Sequence, residues 1–296
     1  MHADPADATD ATDVADLHAH SNASDGTDSP AELVRAAAEA GLAVVALTDH
    51  DTTRGWAEAE AALARHEGLR LVRGAEISCV WEGVSLHLLA YLFDPGHQEL
   101  ADEMATTLDD RVPRAKAIVV KLAAAGYPIT WELVLTQLQD GATVGRPHIA
   151  DTLVAAGVVP DRTAAFDTLL HDGSEFFVGH YYVDAVRAVR LVREAGGVPV
   201  FAHPAAAKRG RTVGEDAIAA MAAAGLAGLE VDHRDNPPEA RTRLRALAAE
   251  LDLLVTGASD YHGSGKENRL GENTTDPAVV DALLAQAGSP TAVLTA

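Results

Sequence analysis

Nine side chains of metal-ligand type stand at or just beyond apolar runs of this chain. His18 and His20 close the run from Val14, and in an extended chain positions i and i+2 point to the same side. Asp25 follows them. His50 comes after Val44 to Asp49, Glu76 after Leu71 to Ala75, and His203 after Val198 to Ala202, while Asp260 and His262 follow Leu253 to Ser259 and His87 lies inside the run Val84 to Leu92. A single histidine beside an apolar run is ordinarily a hydrogen-bonded structural residue, and a single aspartate after a strand is ordinarily a helix cap. Six histidines and three carboxylates at successive strand ends are different, because buried imidazoles and carboxylates cost on the order of several kcal/mol unless paired or metal-bound. The one cysteine, Cys79, excludes a thiolate cage. Mixed nitrogen and oxygen donors suit Mn, with Fe and Zn as the other expectations. A catalytic ion keeps about three to five protein ligands, so nine donors imply two or three divalent ions. Clustered ions that activate water and clamp oxygens favour phosphoester hydrolysis. No Gly-x-Ser-x-Gly elbow or phosphate-binding Walker loop competes.

These donors need a scaffold that gathers strand ends. Strand-like runs at 14–20, 42–50, 69–78 and 84–93 alternate with helical patterns, the first opened by Ser29-Pro30-Ala31-Glu32, a capping box with proline at the first helical position. Another helix is expected over about 54–66. From 99 to 183 the pattern turns helical: Glu99–Ala125, a Gly-Tyr-Pro break, Thr130–Gln139, a turn at Gly145-Arg146-Pro147-His148, and two short helices. A helix over Asp184–Ala195 follows, and the strand cycle resumes at 196–204, 224–232 and 251–262, with helices near 213–224 and 237–250. The expected fold is α/β, a parallel β/α barrel over 13–98 and 184–296 interrupted by an inserted helical cap over 99–183. In such barrels the strand C-termini share one mouth, where the chemistry sits.

The 296 residues are 48% hydrophobic, enough for a real core. Residues 1–12 repeat small and acidic residues and read as a disordered tail. No run reaches the roughly 18 apolar residues of a membrane span, and the acidic start is no signal peptide, so the expected location is cytoplasmic, with no membrane partner. Lys and Arg number 23 against 44 Asp and Glu, a net charge of −21, which argues against duplex DNA as a partner.

Asp16-Leu17-His18-Ala19-His20-Ser21, Ser24-Asp25-Gly26-Thr27, Thr48-Asp49-His50-Asp51-Thr52, Gly74-Ala75-Glu76, Ala202-His203-Pro204 and Gly257-Ala258-Ser259-Asp260-Tyr261-His262-Gly263 resemble, in order, the motifs of the PHP (polymerase and histidinol phosphatase) superfamily. The helical segment with its Gly-Arg-Pro-His turn is most similar to the subgroup of nucleoside 3′,5′-bisphosphate phosphatases, whose members also hydrolyse AMP or trim short 5′-phosphorylated RNA. The resemblance implies a distorted (β/α)7-type barrel in which His18, His20, Glu76 and Asp260 hold one ion. Glu76 would bridge to a second held by His87 and His203, and Asp25, His50 and His262 would hold a third. It implies a metal-bound water as nucleophile, with Glu76 and His203 as catalytic side chains and a protonated histidine assisting departure of the ester oxygen.

Asp16 and Asp49 are candidates for fixing imidazole tautomers, with turn carboxylates as the alternative. Arg111, Arg114 and Lys116 on the long helix, and Arg146 with His148 at the turn, are candidate phosphate contacts, the helix group being equally readable as a solvated face. His233 is a candidate lining residue, and Lys266 and Arg269 offer a further phosphate contact. Trp81, Trp131 and the Tyr181-Tyr182 pair read as core or hinge packing. The functional expectation is a phosphatase acting on the 5′-phosphate of a nucleoside 3′,5′-bisphosphate, AMP or a short RNA 5′ end. The alternatives are a phosphatase of a metabolite such as histidinol phosphate, and a metal-binding module without catalysis.

Overall fold

The computed structural model describes residues 14–138, 144–171 and 173–296. The tail expected over 1–12, and the end of the helix expected to reach Gln139, lie outside these residues. Strand β1 (Ala15–Ala19) is buried throughout. Helix α1 (Pro30–Glu39) starts at the expected capping box, with Ser29 accepting from the Glu32 N–H and the Glu32 carboxylate accepting from the Ser29 N–H. Strand β2 (Val44–Leu47), α2 (Trp56–Leu63), β3 (Arg70–Trp81) and β4 (Val84–Tyr91) follow. The helical stretch holds α3 (Gln98–Ala124), α4 (Trp131–Leu135), α5 (Arg146–Ala155) and α6 (Arg162–Ala165). The remaining elements are β5 (Val183–Asp184), α7 (Ala185–Glu194), β6 (Val198–Phe201), α8 (Glu215–Ala223), β7 (Gly228–Asp232), α9 (Pro238–Glu250), β8 (Leu254–Gly257), α10 (Pro277–Leu284) and β9 (Leu294–Thr295).

The sheet runs β1-β2-β3-β4-β6-β7-β8, with β5 and β9 added at β3. Its two ends meet: the His20 N–H donates to the Tyr261 carbonyl at 2.8 Å, and Ala19 bridges Tyr261. The result is a nearly closed barrel of mixed α/β type. The expected parallel cycle is broken at β4, which runs antiparallel to both β3 and β6. Only Glu82 and Gly83 join β3 to β4, both at positive φ (46° and 76°), and a two-residue link makes a hairpin but not a crossover.

Alternate strand residues feed two apolar layers, as a period of two requires. Val45, Leu47 and Leu71 pack with Leu33, Val34 and Ala37 of α1, while Val44, Ala46 and Val72 pack with Val198, Val200 and the α10 residues Val280 and Leu283. Helix α3 joins the barrel to a third cluster. Leu100 and Met104 lie in the first layer, whereas Ile118, Val119 and Leu122 pack with Val134, Ile149, Leu153 and Phe176. The Gly145–His148 stretch, expected as a turn, is the start of α5: Gly145 caps it and His148 Nδ1 accepts from the Gly145 N–H at 3.1 Å.

Replacing Ser29 by Ala removes one half of the α1 capping box, which contributes about 1 kcal/mol. Urea unfolding of Ser29→Ala is expected to show a lower midpoint at unchanged slope.

Candidate metal centre

Strand ends deliver the donors. The spacing of His18 and His20 on β1 brings their Nε2 atoms to 3.0 Å, both 3.0 Å from Glu76 Oε2 on β3. Asp260, past β8, places Oδ1 3.4 Å from His18 Nε2 and 3.3 Å from His20 Nε2. The other Glu76 oxygen, Oε1, lies 2.8 Å from His87 Nδ1 and 3.1 Å from His203 Nε2. His50 Nδ1 is 3.4 Å from Glu76 Oε2, and Asp25 Oδ1 is 3.2 Å from His262 Nε2 and 3.7 Å from His20 Nδ1. All nine donors expected from the sequence thus converge in one bay, in overlapping groups that include His18-His20-Glu76-Asp260, His50-Glu76-His87 and His20-Asp25-His50-His262.

The donor chemistry fits divalent ions. His20 Nδ1, His50 Nδ1, His87 Nδ1 and His262 Nε2 are buried without a hydrogen-bond partner; the 2.8 Å approach of His87 to Glu76 lacks hydrogen-bond direction. Buried polar atoms are normally satisfied, so imidazole nitrogens left unpartnered inside clusters of ligand-type side chains mark a candidate cation site. The backbone is bent to serve it: His203 and Asp260 stand at φ 34° and 55°, a region costly for non-glycine residues and concentrated at functional sites.

Electrostatics divides the imidazoles. Burial opposes charge on His18, but Glu76, Glu230 and Asp260 lift its pKa well above the ordinary value. Burial likewise opposes His20, and hydrogen bonds to Asp260 and Glu76 carry it to about 9. Burial holds His50 well below its ordinary value, and burial followed by the Lys266 charge brings His262 to about 4. Burial also works against a charged Glu76, yet His18, His87 and His50 hold it well below the carboxylate range.

Glu230 on β7 is a residue that sequence reasoning missed. Fully buried, it sets Oε1 2.9 Å from His18 Nδ1 and accepts the His203 N–H on Oε2 at 2.8 Å, so it orients His18 with Nε2 toward the bay. Its only signal is a carboxylate inside the apolar run Gly228–Asp232. Of the two readings open for Asp16 and Asp49, fixing imidazoles or serving as turn carboxylates, the contacts match the second. Asp16 accepts from the N–H groups of Ser259 (3.0 Å) and Gly271 (2.9 Å), and burial raises its pKa to about 6. Asp49 accepts from Ser21 N–H and Oγ and from Ser24 Oγ at 2.6–2.8 Å.

The bay opens into a cleft of about 1910 Å³ whose walls include Arg111, Arg114, Arg146, Arg162 and Lys266. Arg111 donates to Asp51 at 2.6 Å, Arg114 to the Val178 carbonyl at 3.0 Å and Arg146 to the Leu170 carbonyl at 3.0 Å. Lys266 Nζ is 3.1 Å from Asp260 Oδ2. Two expected contacts stand elsewhere: Lys116 lies over the Trp131 ring at 5.1 Å, and His148 is buried in the first turn of α5, its ring bound to the Gly145 N–H. Neither lines the cleft, nor does Arg269. His233 is fully buried behind Asp260, with Nε2 3.7 Å from Oδ2. Trp81 and Trp131 pack against the apolar clusters, and Tyr181 donates to Glu103 at 2.5 Å, but Tyr182 stands on the cleft wall.

Residues 16–155 match the PHP domain model. The chain is 33% identical to the 3′,5′-nucleoside bisphosphate phosphatase of Chromobacterium violaceum over 88% of its length and 91% of that protein. It is 36% identical to a 5′-3′ exoribonuclease of Haemophilus influenzae over 87% of its length and 93% of that protein. A solved structure of a candidate metal-dependent phosphoesterase from Bifidobacterium adolescentis superposes with a TM-score of 0.88 at 44% identity, over 93% of this chain and 97% of that one. The chain belongs to the PHP domain family. It is a metal-dependent phosphoesterase, and among its described residues no helix is long and apolar enough to cross a membrane.

The carboxylates around His18 and His20 raise the pKa values of both imidazoles, so protons compete with a cation for these nitrogens near neutral pH. A cation must displace those protons, so metal uptake should release protons near neutrality and tighten as pH rises towards about 9. Calorimetric titration with Mn²⁺ in buffers of different ionisation enthalpy measures this, and an uptake that releases none overturns it. Glu76→Gln, which removes the charge shared by both halves of the bay, is expected to keep the fold by circular dichroism and to lose bound metal on dialysis together with hydrolysis.

Proposed function

We propose that the protein releases the 5′-phosphate of nucleoside 3′,5′-bisphosphates and of short 5′-phosphorylated oligoribonucleotides, with Mn²⁺ ahead of Fe or Zn as the resident ion. The observation that carries the reading is the donor bay opening into a cleft edged by guanidinium and ammonium groups, in a chain whose net charge is −21. Cations gathered at one place on an acidic surface suit a small polyanion. The names of the two relatives, a bisphosphate phosphatase and a 5′-3′ exoribonuclease, both denote hydrolysis of nucleotide phosphoesters, the first of a monoester and the second of an internucleotide diester. The cleft, at about 1910 Å³, exceeds the roughly 300–1,000 Å³ that encloses a small ligand, leaving room for a nucleotide with a further residue attached. In this reading residues 99–183 act as a cap set over a barrel of 13–98 and 184–296.

Divalent ions, when bound, supply an activated water and neutralise charge on the phosphate. The chain does the rest. Glu76 turns one oxygen towards His18, His20 and His50 and the other towards His87 and His203, so it would serve ions held in either half of the bay. Asp25, His50 and His262 would hold an outer ion, and Glu230 keeps His18 Nε2 facing inward. Lys266 places an ammonium beside Asp260 at the rim of the bay, and the arginines of the helical wall orient the second phosphate through planar forks.

Phosphate release with Mn²⁺ from adenosine 3′,5′-bisphosphate, AMP, 3′-AMP, histidinol phosphate and a 5′-phosphorylated dinucleotide tests the assignment. Preference for the bisphosphate and dinucleotide by about tenfold or more in kcat/KM is expected, and equal turnover of every monoester overturns it. Arg146→Ala is expected to raise KM for the bisphosphate about tenfold with kcat nearly constant; an unchanged KM removes Arg146 from the site.

A further inference from the structure

One buried imidazole on the cleft wall has no part in the metal bay. His180 lines the cleft with its side chain only 2% exposed. Its Nδ1 lies 2.6 Å from Asp110 Oδ2, the same oxygen that accepts the Tyr181 N–H at 2.8 Å. Its ring meets that of Tyr182 edge-on, centroids 4.6 Å apart, and Tyr182 also lines the cleft. This wall is tied to the bay: Arg111, next to Asp110 on α3, donates to Asp51, whose N–H donates to the Glu76 carbonyl at 3.0 Å.

The Asp110 carboxylate only accepts, so the proton of the neutral ring sits on Nδ1. Nε2 then presents a lone pair, and it has no hydrogen-bond partner among the described residues. Burial lowers the His180 pKa, and the charges of Arg114 and Arg111 add to it against the opposing bond to Asp110. An acceptor set among arginines repels an oxyanion at its own position while the arginines attract one nearby. The group that suits it is a neutral donor carried next to a phosphate, and in a nucleoside 3′,5′-bisphosphate the one free sugar hydroxyl is at C2′. We infer that His180, held by Asp110, is a positioning residue whose Nε2 accepts a hydrogen bond from the ribose 2′-hydroxyl, making the cleft selective for ribonucleotides. This rests on the nucleotide reading above. Tyr182 supplies the ring against which the sugar lies.

The test compares adenosine 3′,5′-bisphosphate with its 2′-deoxy analogue in the Mn²⁺-loaded wild type, His180→Ala and His180→Gln. A site built to bond a hydroxyl rejects the analogue lacking it, so the wild type is expected to favour the ribose form about tenfold in kcat/KM, mainly through KM, as one lost hydrogen bond implies. In His180→Ala the ratio should fall towards one. His180→Gln, which keeps an amide oxygen near the Nε2 position, should recover part of it. The ratio is immune to a partly folded preparation, because lost active sites lower both rates alike. A wild-type ratio near one, or a ratio unmoved by His180→Ala, overturns the inference while leaving the nucleotide assignment intact. A wild type inactive on both sugars overturns that assignment itself, and this inference with it.

Discussion

A carboxylate with five imidazole nitrogens within 3.4 Å is the constraint on which the mouth of this barrel depends. Glu76 is 1% exposed, and an unpaired buried charge of that kind would be expelled or neutralised. The imidazoles hold its pKa well below the carboxylate range, and it in turn raises the pKa values of His18 and His20. The five imidazoles come from β1, the β2 end, β4 and the β6 end, so only closure of the sheet brings them to one carboxylate. Closure and site are therefore one problem: the bond from the His20 N–H to the Tyr261 carbonyl joins the first strand to the segment that carries Asp260 and His262.

The antiparallel strand has a functional consequence. A hairpin at Glu82-Gly83 reverses β4, which puts His87 opposite Ser78, two residues along from Glu76. His87 is thus a mid-strand donor, whereas the other ligands stand at strand ends or in the loops beyond them. Asp51 fastens the same region from outside. Its carboxylate accepts from Ser78 N–H and Oγ at 2.8 Å each and from Arg111 at 2.6 Å, so the helical wall is tied to the strand that carries the central carboxylate.

The convergence of the nine donors was legible because its spacing is local: two histidines at i and i+2 on an extended stretch must share a face, and donors repeating at strand ends must share a barrel mouth. The capping box at Ser29 was legible for the same reason. What escaped was contact between distant segments. Glu230 sits among apolar residues of β7, and nothing in its neighbours shows that His18, 212 positions away, donates to it. His180 stands in a return with no periodic pattern, and Asp110, 70 positions earlier, gives it meaning. Lys116 was misplaced for a reason the sequence did contain. Arg111 and Arg114 are three residues apart and share a helix face, but five residues separate Arg111 from Lys116, a rotation of about 140° at 3.6 residues per turn, and the lysine turns to Trp131 instead.

Two of the converging donors stand on left-handed backbone. His203 and Asp260 hold φ values of 34° and 55°, each a cost of about 1–3 kcal/mol, and both are pinned from neighbouring strands or loops. Glu230 accepts the His203 N–H, and the Asp16 carboxylate accepts the N–H of Ser259, the residue before Asp260. Two buried carboxylates on the barrel thus keep two bent strand ends aimed at the bay. Donors held in this way are ordered by folding, so a bound ion would not have to order them.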